Sequence, residues 1–242
     1  MRNVRLLHSL CYFLLLTSFA LVTEVGANRT ESKSFPPAPM QNGEKLVYAD
    51  FETMTDRPSS SRGGWVQLSA SQESPASPCT YKGMAGVNPG APDLVRLSKD
   101  SPNKAAAFDY QLRGPNQWGS VGMEIHGQPD KDGKFVPDDV SAYKYLAFQA
   151  YTTGVSALKI ELTSRGQGVI SNVYPQFTIK VMPGFNTYRI PLKAVGQPPW
   201  AEPKLSTKDV LKKLTSVTIT ASCGPCTLIN GTVVIDTVVF EN

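Results

Sequence analysis

The sequence predicts an all-β protein, an antiparallel β-sandwich with one short helix. Three observations point that way. Short runs rich in Val, Ile, Phe, Tyr and Thr recur beyond Leu46, each bounded by Gly, Pro, Asn or Asp clusters. Within the runs, apolar and polar residues alternate with the period of a half-buried strand. Helical spacing appears convincingly once, where Val210, Leu211 and Leu214 form one apolar face behind Ser206 as cap and Asp209 at the capping-box position.

Taken in order, residues 1–27 read MRNVRLLHSLCYFLLLTSFALVTEVGA, with Arg2 and Arg5 ahead of an apolar run and small residues closing it. This is the order of a secretory signal peptide, with cleavage expected after Ala27. Cys11 lies inside the run without a lipoprotein-type box before it. The run is too short and too interrupted for a span, and no later segment is apolar enough, so no membrane span is expected after cleavage. The expected location is secreted or periplasmic. Residues 28–43, NRTESKSFPPAPMQNG, read as a flexible linker. Residues 44–242 form the expected β-sandwich binding domain, a length that suits one core. Its strands are predicted in LVYADFE, GWVQLS, DLVRLS, AAAFDYQL, WGSVGMEIHG, YKYLAFQAY, ALKIELTS, FTIKV, NTYRIPL, SVTITA and TVVIDTVVF. Residues 70–92, dense in Ser, Pro and Gly, read as a long surface loop.

Composition excludes several classes of function. The formal charge of +4 falls to +3 once two Arg and one Glu leave with the signal peptide. That is too mild for a nucleic-acid footprint, so no nucleic-acid partner is expected. His8 also leaves, and His126 is then the only imidazole, which rules out a His-rich zinc site and forces any Ser-His-Asp triad through one residue. YKGMAG lacks the spacing of a phosphate loop, and DKDGK from Asp130 lacks the remaining ligands of an EF-hand, so it reads as a turn. A glycosidase would need two facing carboxylates; Glu124 and Glu161 are available, but exposed acids on a polar sheet face are ordinary.

Cysteine chemistry is concentrated in SCGPC. The tetrapeptide Cys-Gly-Pro-Cys belongs to redox enzymes when its first thiol sits at a helix N-terminus. Here SVTITA precedes it and TLINGTVVIDTVVF follows, both strand-like, so a structural pair is expected. Cys79, Cys223 and Cys226 remain after export; the SCGPC pair either closes locally or is bridged to Cys79, and the odd count leaves one thiol over or pairs it with another chain.

LVYADFE as an opening strand, DVSAYKYLAFQAY, FNTYRIPL and the closing VVIDTVVF resemble the galactose-binding-like jelly roll. That fold is found in many carbohydrate-binding modules and in domains similar to complex I intermediate-associated protein. The resemblance covers residues 46–240 and lies in strand patterns that many functions share. It implies ligands across the concave sheet or at loops on one edge, and a structural calcium ion near the first and last strands.

Alternation then supplies candidate residues. Trp118, Glu124 and His126 leave one side of their strand, Gln149 and Tyr151 one side of theirs, and Glu161 the outer side of a third. Together they are expected to form one polar, aromatic-bearing strip. Trp118 and Tyr151 would stack on sugar rings, while Glu124, His126, Gln149 and Glu161 would hydrogen-bond hydroxyls. His126 reads equally as a solvated strand-end residue. Trp65 reads as core packing, and Trp200 either reaches over a sheet edge or anchors its loop. Alternation in VVIDTVVF groups Asp236 with Val238 and Phe240, facing inward; it then needs a partner, either backbone N–H groups or calcium shared with Asp50 and Glu52. The expected function is non-catalytic binding of a glycan or polysaccharide. The alternatives are a module that holds a protein partner and a glycan-active enzyme on the same scaffold. Asn28 and Asn230 head glycosylation sequons that count only in a eukaryotic host.

Overall fold

The computed structural model describes residues 45–52, 60–71, 76–78, 92–97, 102–125, 137–164 and 173–242. The expected signal peptide and linker, Cys79, His126, the DKDGK stretch read as a turn, and Asn28 lie outside them. Among the described residues twelve strands build two antiparallel sheets. They are β1 (Leu46–Ala49), β2 (Gly63–Ala70), β3 (Ala76–Pro78), β4 (Asp93–Arg96), β5 (Lys104–Leu112), β6 (Trp118–Ile125), β7 (Tyr145–Thr152), β8 (Ala157–Thr163), β9 (Gln176–Lys180), β10 (Asn186–Pro191), β11 (Ser216–Ser222) and β12 (Ile229–Glu241). The seven-stranded sheet runs β10-β7-β12-β5-β3, with β1 on β12 and β4 on β5; the five-stranded sheet runs β2-β6-β11-β8-β9.

Alternation drives the packing. Leu146, Phe148 and Ala150 of β7 and Val233 and Ile235 of β12 are buried on the inner face of the larger sheet. Val121 and Met123 of β6, Leu158, Ile160 and Leu162 of β8, and Val217 and Ile219 of β11 are buried on the inner face of the smaller one. Each such side chain contributes about 1.5–3 kcal/mol on leaving water. The helix α1 (Thr207–Leu211) forms where expected: the Asp209 N–H donates to Ser206 Oγ at 3.3 Å, and Val210, Leu211 and Leu214 are buried.

Two expectations need correction. Residues 70–92 are not wholly loop, because β3 pairs with residues 108–110 of β5. Asp236 is buried, but not for the reason alternation gave. Ile235 faces the core and Asp236 stands opposite Gln149 on the other face; a bulge follows, with Thr237 at φ 51°, and shifts the phase so that Val238 and Phe240 face inward again. Asp236 therefore sits on the outer side of its sheet.

The SCGPC segment is a turn between β11 and β12, with Cys223 and Cys226 joined in a disulfide. No helix follows it. The Asn116 N–H donates to Cys223 O at 3.2 Å, which fastens this turn to the one between β5 and β6.

Candidate functional site

The outer face of the five-stranded sheet brings together a broad set of polar side chains. Strand registers align them in rows across the sheet. One row is Ser69, Ser120, Thr220, Lys159 and Thr178; the next is Gln67, Gly122, Thr218, Glu161 and Gln176; a third contains Glu124, Ser216 and Thr163. Trp118 stands opposite Ser222 at one end of the face. The result is a groove of about 340 Å³ whose walls are drawn from β2, β6, β11 and β8. Gly122 lies in its middle row, so the floor there carries no side chain.

Several of these groups are held in place before any ligand arrives. The Gln67 amide donates to Glu124 Oε1 at 3.1 Å, and the Glu124 carboxylate is buried. Lys159 Nζ lies 3.6 Å from Glu161 Oε2. Burial pushes the Glu161 carboxyl up from its usual range, against the opposing pull of Lys159. At the Trp118 end, the indole-bearing backbone is clamped by Ser71: the Trp118 N–H donates to Ser71 Oγ at 3.1 Å and the Ser71 N–H donates to Trp118 O at 3.0 Å.

Trp118, Glu124 and Glu161 thus share one wall, whereas Gln149 and Tyr151 do not. Both belong to β7 in the other sheet, so they face away on the opposite side of the sandwich. The single strip expected from the sequence is divided between two sheets. Alternation fixes the side of a strand that a residue takes, but it carries no information about which sheet the strand joins. Tyr151 instead borders a cavity of about 590 Å³ with Leu97, Ala107, Phe185 and Val234.

Sequence reasoning passed over Gln67, Ser69, Ser216, Thr218 and Thr220. The signal was present in SVTITAS, where hydroxyl residues alternate with Val217, Ile219 and Ala221. Trp65 also differs from expectation. It is half-buried, outside the core cluster, and shares strand parity with Gln67 and Ser69 rather than with buried Val66. Trp200 is 72% exposed and does not anchor its loop. That loop is held by Gln197, which accepts from the Leu205 N–H at 2.5 Å, and by Lys204, which donates to Pro199 O at 2.6 Å.

The three acids expected to hold calcium lie where β1 meets β12. Asp236 has 0% exposure and accepts from Asn103 Nδ2 at 2.9 Å and the Thr237 N–H at 2.7 Å. Burial raises its carboxyl above the usual range, and the charge of Glu52 raises it further. Asp50 accepts from Ser61 Oγ at 3.1 Å, and Glu52 accepts from the Lys104 N–H at 3.1 Å. Among the described residues no group of three or more Asp, Glu, His or Cys side chains is gathered closely enough to hold an ion. Of the two partners the sequence leaves open for Asp236, the described residues supply the backbone N–H, joined by the Asn103 amide.

No protein-family model matches the chain, and no curated protein matches it. Solved structures do. The family 11 carbohydrate-binding module of the cellulosomal cellulase Lic26A-Cel5E of Clostridium thermocellum aligns with a TM-score of 0.51 at 10% identity, over 84% of this chain and 96% of that one. The family 11 module from the same organism in complex with a β-1,3-1,4-mixed-linked tetrasaccharide aligns at 0.50 and 10%, over 84% and 98%. A family 30 carbohydrate-binding module aligns at 0.50 and 11%, over 82% and 99%. The likeness establishes the fold: this chain has the jelly-roll β-sandwich of such modules.

Proposed function

We propose that the chain is a non-catalytic glycan-binding module and that the groove on the five-stranded sheet holds the glycan. The observation that carries this reading is the set of hydroxyl, amide and carboxylate rows ending at a clamped tryptophan. A sugar chain offers hydroxyls around its rim and C–H groups on its faces, so hydrogen-bonding rows beside an indole complement both. The solved modules of like fold support it, one of them with a bound tetrasaccharide. Export to a secreted or periplasmic location is part of the same proposal, motivated by residues 1–27; no helix among the described residues is long and apolar enough to cross a membrane.

A second reading, a module that holds a protein partner, has its own observation: Leu97 and Phe185 are exposed beside Tyr151 on the opposite sheet. Titration calorimetry with linear polysaccharides and their oligosaccharides separates the two. The groove reading expects binding that weakens about tenfold or more in Trp118→Ala. Absence of binding to every glycan tried, or affinity unchanged by the substitution, overturns it.

A further inference from the structure

A second cavity, of about 430 Å³, opens at one end of the sandwich, where β7 begins, β10 ends and α1 packs. Tyr143, Leu192 and Leu211 line it and are buried, whereas Lys144, Lys193 and Lys208 line it and are exposed. The lysines come from three separate elements: the segment before β7, the 3-10 turn after β10, and α1. None of them makes an ion pair with a described residue, whereas other charges nearby are committed. Glu241 takes Lys45 at 3.0 Å and Arg189 at 2.8 Å, and Asp139 accepts from the Ser141 N–H and hydroxyl at 2.9 and 2.7 Å. Asp209 is the remaining acid of α1, next to Lys208 in the chain.

Three unneutralised ammonium groups around an apolar floor are suited to a ligand with a flat C–H face and an anionic edge. We propose that this cavity binds an acidic sugar, a pyranose bearing a carboxylate or a sulfate ester. Its ring rests on Leu192 and Leu211 and its anionic group is held by Lys144, Lys193 and Lys208. The site is separate from the groove. The choice of a sugar rests on the glycan-binding reading, whereas the choice of an anion rests on the lysines alone.

Calorimetry on the whole chain tests this with three probes: an oligogalacturonate, a sulfated galactan oligosaccharide, and a neutral mixed-linked glucan oligosaccharide. At least one charged probe binds, and which one identifies carboxylate or sulfate as the preferred group. Its affinity falls about tenfold when Lys144→Gln, Lys193→Gln and Lys208→Gln are combined, and it falls with added salt. Trp118→Ala leaves it unchanged, so the result is readable whether or not the neutral glucan binds the groove. The single lysine variants, each losing part of the affinity, guard against a fold defect in the triple one. Failure of both charged probes at millimolar concentration, or affinity that survives the triple substitution, overturns the proposal.

Discussion

The Tyr110 hydroxyl occupies the space where residue 231 would carry a side chain: a Cβ on Gly231 would run into both that hydroxyl and the Thr153 carbonyl oxygen. Tyr110 Oη donates to that same Thr153 carbonyl at 2.5 Å and accepts from the Val155 N–H at 3.0 Å, so one phenol ties the β7–β8 turn to β5. Gly231→Ala therefore cannot be absorbed by a moving side chain. It is expected to cost about 1–3 kcal/mol or more, read as a lower denaturation midpoint in urea with an unchanged slope.

Asp138 and Arg62 form a two-pronged pair at 2.9 and 3.1 Å, with the carboxylate fully buried. The backbone of Asp138 is also fixed, exchanging hydrogen bonds with Leu214 in both directions. Asp138→Ala breaks this largely buried pair and is expected to cost about 3–5 kcal/mol. Tyr48 is the contrasting case close by. Its hydroxyl is buried without a hydrogen-bond partner among the described residues. Tyr48→Phe removes that orphan and should leave thermal stability within about 1 kcal/mol of the parent or raise it.

How far the sequence could be read follows from which physics is local. Period-two patterns announce a strand and its buried side, so Leu146, Phe148, Leu158 and Ile160 were legible as core. The Ser206 cap was legible for the same reason, since its bond spans three residues. Sheet membership is not local. Nothing within WGSVGMEI or YLAFQAYT says that β11 pairs with β6 while β12 pairs with β7, and so Trp118 and Tyr151 appeared to share a wall that the fold does not give them. The bulge at Thr237 was hidden likewise, because an extra residue reveals itself only against the partner strand.

Asp236 gives a pH dependence whose sign follows from its raised pKa. The folded chain holds the Asp236 proton more tightly than the unfolded chain does. Its contribution therefore favours folding below the ordinary carboxylate range and is lost as pH rises through the raised folded value. Glu161 acts in the same direction, while Glu241, whose carboxyl is lowered by Arg189 and Lys45, adds stability above the ordinary range that is lost as pH falls. Asp236→Asn should flatten the Asp236 part of the profile and, in chelator, melt no lower than the parent near neutral pH. The same variant tests the calcium ion that the sequence resemblance implies near these strands. An ion bridging the first and last strands raises the melting temperature of the parent and not of Asp236→Asn; a carboxylate satisfied by Asn103 and Thr237 alone gives no calcium shift in either.

Gly122 offers a way to block the groove without touching its hydrogen-bonding groups. A Cβ there would meet Thr218 Oγ1 at 3.7 Å, Gln67 O at 3.9 Å and Ser216 Oγ at 3.9 Å, all ordinary contacts. Gly122→Ala is therefore expected to fold normally and to perturb a bound chain little. Gly122→Tyr places a ring in the central row between Gln67 and Thr218, on the outer side of the sheet, where the core is not disturbed. Glycan affinity should fall by at least about tenfold in Gly122→Tyr, with a melting temperature near that of Gly122→Ala. Calorimetry paired with thermal melts checks both, and unaltered affinity in the tyrosine variant would move the ligand off this face.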